Sequence, residues 1–272
     1  MFPGATAERE TAAYALLGAP LDVSTTFQPG TRFGPDRVRQ FGAGFEDYDH
    51  HSDQLFTELG VYDAGNEYAW DDAPAYLEQL TARLRSLVES ALTPIMIGGE
   101  HTVSVAAFRA LSPDVVVSID AHLDLREEFD GNEYSHATVG RHALDVADHL
   151  LVLGARAGSR AAWSRASEAD VTVVSPAELA SWNADTEPTL QGEPDVYCTV
   201  DIDAISAGLA PGTGTPEPFG VTPRELQRVI RALAPRASGF DLVEVNDRDD
   251  GQAATIGAKL VREFVFAHAS AE

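Results

Sequence analysis

The apolar run VVVSI leads directly into a segment that places Asp120, His122 and Asp124 at alternate positions of SIDAHLDLREEF, residues 118–129. Side chains two apart in an extended strand share a face. The spacing therefore aims two carboxylates and an imidazole the same way. Two other segments carry groups of the same kind. IMIGGEHTVS puts His101 just past a strand-like run, where Gly98 and Gly99 permit a tight turn, and CTVDID supplies Asp201 and Asp203 at alternate positions. A lone aspartate at a strand end ordinarily caps the next helix. Acids and imidazoles arriving in same-face sets, with His101 beside them, exceed what capping needs. The chemistry open to them is metal binding. Four carboxylates and two imidazoles without a thiolate form a hard oxygen–nitrogen set. That set suits Mn²⁺ ahead of Mg²⁺, Fe²⁺ or Co²⁺ and matches structural zinc poorly. Six ligands are also more than one ion takes from a protein while keeping an open position. Two ions bridged by shared carboxylates, about 3.5–4 Å apart, fit the count better.

Such groups must be positioned by a scaffold, and the hydrophobic pattern describes one. Short apolar runs at 14–20, 60–65, 94–99, 114–120, 150–155, 171–175, 196–203 and 239–245 read as strands. Amphipathic stretches at 75–90, 223–233 and 254–267 read as helices between them. This alternation predicts a single-domain, three-layer α/β sandwich: a mostly parallel sheet of about eight strands with helices on both faces. No linker-like segment divides the 272 residues, and residues 1–13 are expected to be loose. In open parallel sheets ligands bind beyond the carboxyl ends of the strands, which is where the acids and histidines fall.

The segments GGEHTVS, SIDAHLD and TVDIDAISAGLAPGTGTPEPFG together resemble the signature segments of the ureohydrolases, the arginase and agmatinase family. TTFQPGTRFGPDRVR (25–39) looks more like the agmatinase branch, and the resemblance runs from about Leu17 to Phe266. It implies two manganese ions. His101, Asp120, Asp124 and Asp201 would hold the first; Asp120, His122, Asp201 and Asp203 would hold the second, with Asp120 and Asp201 bridging. It also implies that Glu244, in GFDLVEVN, grips a guanidinium and that His136, in EYSHAT, transfers protons. Homo-trimers or homo-hexamers are usual in the family. The chain departs from the family pattern at Ala204–Ala207, where an Asp–Pro pair is missing, at Phe219 in place of glycine, at Ala137, and at Leu123. None of these is a ligand position.

The chemistry implied is hydrolysis of a small cationic guanidino compound to urea and an amine, with agmatine giving putrescine as the leading case. Guanidinobutyrate, aminopropylagmatine, arginine and formiminoglutamate stand as alternatives. Glu244 would orient the guanidinium over a metal-activated water, Asp124 would relay the proton that the leaving amine needs, and His136 would exchange it with solvent. A metal-dependent phosphoesterase and a non-catalytic metal-binding protein are the competing classes; the chain lacks the GNH segment typical of the former. His50, His51, His142, His149 and His268 read as surface residues, Arg32 and Arg39 as serving loop structure or subunit contacts, and PGTGTPEP (211–218) as a loop flanking the site.

Forty-three acidic residues against nineteen basic ones give a formal net charge of −24, and Lys259 is the single lysine. Such a surface repels nucleic acids and anionic membranes. It reads first as adaptation to high salt, where charges are screened, and second as steering of a cationic substrate. Cys198 is alone, the N-terminus lacks a signal-peptide pattern, and no apolar run is long enough to span a bilayer. The expected location is the cytoplasm.

Overall fold

The computed structural model describes residues 1–68 and 70–271. Eight strands form its main sheet: β1 Tyr14–Ala19, β2 Val61–Asn66, β3 Thr93–Gly98, β4 Val115–Ile119, β5 His149–Leu153, β6 Val171–Val174, β7 Val196–Asp201 and β8 Ala237–Val243. Their spatial order is β2-β1-β3-β8-β7-β4-β5-β6. Every neighbouring pair is parallel. The four central strands are β3, β8, β7 and β4, and each of them precedes a segment carrying an acid or histidine singled out above.

Parallel strands covered on both faces must be apolar on both sides. The two sides of the sheet accordingly feed two separate cores. Leu16, Ile97, Val117, Cys198 and Leu242 belong to one. Their strand neighbours Leu17, Met96, Val116, Tyr197 and Val243 belong to the other. The first core is covered by α1 (Gly34–Gly42), α7 (Pro223–Leu233) and α8 (Gln252–Ala269), the second by α2 (Ala73–Val88), α3 (Ser104–Leu111) and α4 (Val139–Leu144). Two short helices, α5 (Arg160–Arg165) and α6 (Pro176–Leu179), follow β5 and β6. Local sequence sets these boundaries. In α7, Thr222 and Glu225 form a capping box, Pro223 occupies the first turn, and Leu226, Val229, Ile230 and Leu233 make one buried stripe.

Three expectations change. The N-terminal segment is not loose: Phe2 and Ala5 are buried, and the Phe2 ring lies 5.9 Å from that of Phe56. β4 ends at Ile119 and β7 at Asp201. Strand alternation therefore does not extend to Asp124 or Asp203, and the loops after the strands bring these residues in. His142 is buried rather than on the surface, stacked on Tyr134 with ring centroids 4.9 Å apart. Arg39 is also buried and ties α1 to β2 through a fork of hydrogen bonds to Asp63 at 2.8 and 2.9 Å. Exposed Arg32 holds the loop after β1 through the Asp22 carbonyl, 2.6 Å away.

Candidate metal centre

The turn after β3 brings His101 in. Gly99 is indispensable to it, because a Cβ at that position would sit 1.9 Å from the Leu21 carbonyl oxygen. Beyond the turn, His101 Nδ1 lies 3.1 Å from Asp120 Oδ2, 3.2 Å from Asp124 Oδ2 and 3.7 Å from Asp201 Oδ2. On the other side of Asp120, His122 Nδ1 lies 3.0 Å from Asp203 Oδ2 and 3.6 Å from Asp120 Oδ1. Asp120 thus turns one oxygen to each imidazole. His101–Asp120–Asp124 and Asp120–His122–Asp203 each converge closely enough to hold a metal ion, and they share Asp120. Asp201 stands beside the first set, its Oδ1 accepting the Asp203 N–H at 2.8 Å.

The loops enforce this convergence. Asp124 adopts a left-handed backbone at φ 49°, which turns the chain away after β4. Asp203 sits in a short helical turn; its Oδ1 accepts the Ala121 N–H at 3.1 Å and its Oδ2 the Thr215 hydroxyl at 3.1 Å. Those bonds lock the β4 loop to the β7 loop.

The fit to a metal is visible in what the cluster leaves unpaired. His101 Nδ1 and Asp120 Oδ2 are both buried without a hydrogen-bond partner, a costly state unless a ligand lies between them. The tautomer of His101 is set from behind. Thr199 donates its hydroxyl proton to Asp241 and lies 3.0 Å from His101 Nε2. Its oxygen therefore accepts the Nε2 proton and leaves the Nδ1 lone pair facing the carboxylates, as a metal ligand requires. Electrostatics agree. Burial and the neighbouring carboxylates Asp203, Asp120 and Glu244 push Asp201 well above the carboxylate range. Burial and Asp120 push Asp124 up to about 6. Burial opposes a charged His122, but Asp203 and Asp120 carry it up to about 12. So crowded a set of acids calls for positive charge in its midst.

Glu244 follows β8 at a left-handed φ of 63° and is 2 % exposed. Its Oε1 accepts the His101 N–H at 2.8 Å, and Gly214 packs against its Oε2. Burial first, then repulsion by Glu100 and Asp203, raises its pKa. His136 lies on the loop before α4, within a capping box formed by Ser135 and Thr138. Its Nε2 is 3.2 Å from Thr26 Oγ1, and its N–H donates to Ser24 Oγ at 2.9 Å. Burial is the leading cause that lowers its pKa to about 4, so the ring is neutral near pH 7. His122, Asp124 and His136 line one cavity of about 330 Å³, with Thr26, Phe129 and Thr215 among the other walls.

Several residues went unnoticed in the sequence. Glu100, between the glycine pair and His101, is fully buried and accepts the Val23 and Ser24 N–H groups at 2.8 and 2.7 Å, fixing the loop that carries Thr26. Thr199 lies two residues before Asp201 on the same strand face, and Asp241 is an acid inside an apolar strand. Both signals were legible. Arg156 was not: it joins the β7 loop to residues 217–218 by hydrogen bonds to four carbonyls, which no residue pattern announces.

The model of the arginase family matches residues 12–267. The chain belongs to the arginase family. An agmatinase of Halalkalibacterium halodurans is 34% identical to it over 268 residues, covering 94% of this chain and 92% of that protein. The N(1)-aminopropylagmatine ureohydrolase of Thermococcus kodakarensis is 32% identical, covering 93% and 90%. The crystal structure of the agmatine ureohydrolase of Thermoplasma volcanium superposes with a TM-score of 0.91 at 30% identity, covering 99% of this chain and 94% of that one. Membership of this family of ureohydrolases sets aside the phosphoesterase class. No helix among the described residues is long and apolar enough to cross a membrane.

Proposed function

We propose that this protein is a binuclear manganese agmatinase, converting agmatine and water to putrescine and urea. The observation that carries the reading is the pair of ligand sets sharing Asp120, with His101 Nδ1 and Asp120 Oδ2 buried and unpartnered between them. In this reading His101, Asp120, Asp124 and Asp201 hold one ion, and Asp120, His122, Asp201 and Asp203 hold the other. The oxygen-rich donor set favours Mn²⁺. Two divalent cations would balance the charge of the four ligand carboxylates. When bound, the ions supply Lewis acidity and a water made acidic enough to attack at neutral pH.

The protein's own groups do the rest. Glu244 holds the guanidinium nitrogens by charge-assisted hydrogen bonds and so fixes the carbon for attack. A C–O bond forms at that carbon and the C–N bond to the alkyl chain breaks. The departing nitrogen takes a proton relayed by Asp124 and exchanged with solvent through His136, whose neutral ring can accept and return it.

Relatives named agmatinase support agmatine as the substrate. The aminopropylagmatine relative keeps that longer amine as a second reading. Guanidinobutyrate, arginine and formiminoglutamate complete the set to test. We further read the protein as a cytoplasmic homo-trimer or homo-hexamer with a salt-adapted surface. The deciding experiment measures urea or formamide release from these five compounds with manganese-loaded protein, together with metal content. Agmatine turnover with two manganese ions per chain is expected. Urea from arginine alone would overturn the substrate, and one tightly bound zinc would overturn the binuclear centre. No hydrolysis of any compound with both ions present would overturn the enzyme reading.

A further inference from the structure

Glu244 and the acidic cluster account for the guanidinium end of a substrate. The far end of its chain needs a partner of its own. His122 separates the two ends. Its Nδ1 faces Asp203 and Asp120, while Nε2, across the ring, lies 3.9 Å from Glu217 Oε1. Glu217 therefore stands an imidazole ring and a further 3.9 Å from the cluster, beyond the His122 and Thr215 that line the cavity.

This is not a loose surface acid. Arg156 donates to the carbonyls of Asp203, Ala204, Glu217 and Pro218 at 2.8, 3.2, 3.0 and 2.8 Å. The same guanidinium thus fixes the backbone of Glu217 to the turn bearing Asp203. Thr215, two residues earlier, is anchored on Asp203 Oδ2. Among the described residues the Glu217 carboxylate accepts no hydrogen bond, and its side chain is 36% exposed. A carboxylate held by its backbone, accepting no hydrogen bond and standing 3.9 Å from a ring that lines the cavity, keeps acceptor sites for a donor. The arginine lining the cavity, Arg126, is exposed and stacked over the Phe129 ring at 5.0 Å. Arg156 is attracted by Glu217 but spends its N–H groups on backbone carbonyls, and no ion pair joins it to the Glu217 carboxylate.

We propose that Glu217 is a specificity residue that receives the ammonium end of the substrate, restricting the site to guanidino compounds whose chain ends in a cation. The proposal rests on reading the cluster as the reaction centre. It predicts discrimination by tail charge and not by the guanidinium. A role limited to supporting His122 would instead weaken metal binding and slow every substrate alike.

The test compares three substrates of similar chain length: agmatine with a cationic tail, butylguanidine with a neutral tail and guanidinobutyrate with an anionic one. Wild type, Glu217→Gln and Glu217→Arg are assayed as manganese holoenzymes, with metal content and calorimetric agmatine binding measured beside the kinetics. In Glu217→Gln, KM for agmatine should rise roughly tenfold, the scale of a partly exposed charge-assisted contact. The kcat for agmatine should change little, butylguanidine should respond far less, and metal content should stay at the wild-type level. Glu217→Arg should turn the preference toward guanidinobutyrate. Equal losses on all three substrates with depleted metal, or unchanged selectivity in both variants, would overturn the proposal. Wild-type protein inactive on all three would instead refute the underlying ureohydrolase reading.

Discussion

Replacing Thr199 with valine removes one hydroxyl from the middle of β7 and keeps nearly the same shape. Thr199 is fully buried, and its Oγ1 lies 3.0 Å from His101 Nε2, 2.5 Å from Asp241 Oδ1 and 3.3 Å from Ser104 Oγ. The variant leaves the Nε2 proton without an acceptor and Asp241 Oδ1 without its donor; Asp241 Oδ2 keeps the Tyr197 hydroxyl at 2.8 Å. Each buried polar group left unsatisfied costs about 1–3 kcal/mol. The Ser104 hydroxyl is close enough to recover part of one loss, so a total of roughly 2–4 kcal/mol is expected. In a chain of this size that lowers Tm by roughly 4–7 °C. The second consequence is functional. Nothing then holds the proton on Nε2, so Nδ1 can carry it and must release it before binding a metal. Loss of such support behind a ligand typically weakens metal affinity by about 10–100-fold. Thermal unfolding of metal-free protein measures the first effect, and competition against a chromogenic chelator measures the second. Thr199→Ser, which keeps the hydroxyl, should stay near wild type in both. A destabilised Thr199→Val that binds metal as tightly as wild type would refute the tautomer argument. Unchanged stability would refute the hydrogen-bond chain itself.

Four further outcomes are expected. His136→Ala should lower turnover by about 10²–10⁴-fold, the usual span for a positioned acid–base group, with both metals retained; near-normal kcat would remove His136 from proton transfer. Phe219 holds a left-handed φ of 63° while 87% exposed. Relieving about 1–2 kcal/mol of backbone strain outweighs the entropy of a glycine, about 0.5–1 kcal/mol, so Phe219→Gly should be slightly stabilising in urea melts; a clear loss would mean the ring has a packing partner. Burial opposes ionisation of Asp63, but the hydrogen bonds and charge of Arg39 outweigh it and hold its pKa below the ordinary 3.8. A carboxylate depressed in the folded state contributes its full stability above that ordinary value and loses it as pH falls through the folded one. Asp63→Asn should therefore be less stable at pH 7 yet show a flatter acid limb, and an acid limb as steep as wild type would contradict this. Finally, with a net charge of −24, Tm should rise as KCl screens self-repulsion, and a steady fall would refute the salt-adapted reading.

The inner strands were legible because buried parallel strands are continuous apolar runs, whereas the edge strand VYDAGN is only partly buried and carries a weaker signal. The candidate cluster was legible because few other roles call for so many acids and histidines at strand ends. Strand alternation accounts for only part of their convergence. Alternation along a strand explains Thr199 and Asp201, which lie within β7. It does not explain Asp124, which comes after β4 and depends on a left-handed backbone that a non-glycine residue seldom announces. Nor does it explain Asp203, drawn in by a helical turn whose N-cap is Asp201 itself. Glu100 was hidden for another reason. Its neighbours in sequence mark the candidate centre, but its carboxylate points to Val23 and Ser24, more than seventy residues earlier. Ser24 in turn donates to Glu100 Oε1 and accepts the His136 N–H. The placement of His136 over the site is thus set by a buried acid on a different strand end. Sequence pattern reports which side chains are present and which face a strand gives them. Contacts made across the sheet decide which of those side chains meet, and the loops of this chain make that decision at the carboxyl ends of β3, β4, β7 and β8.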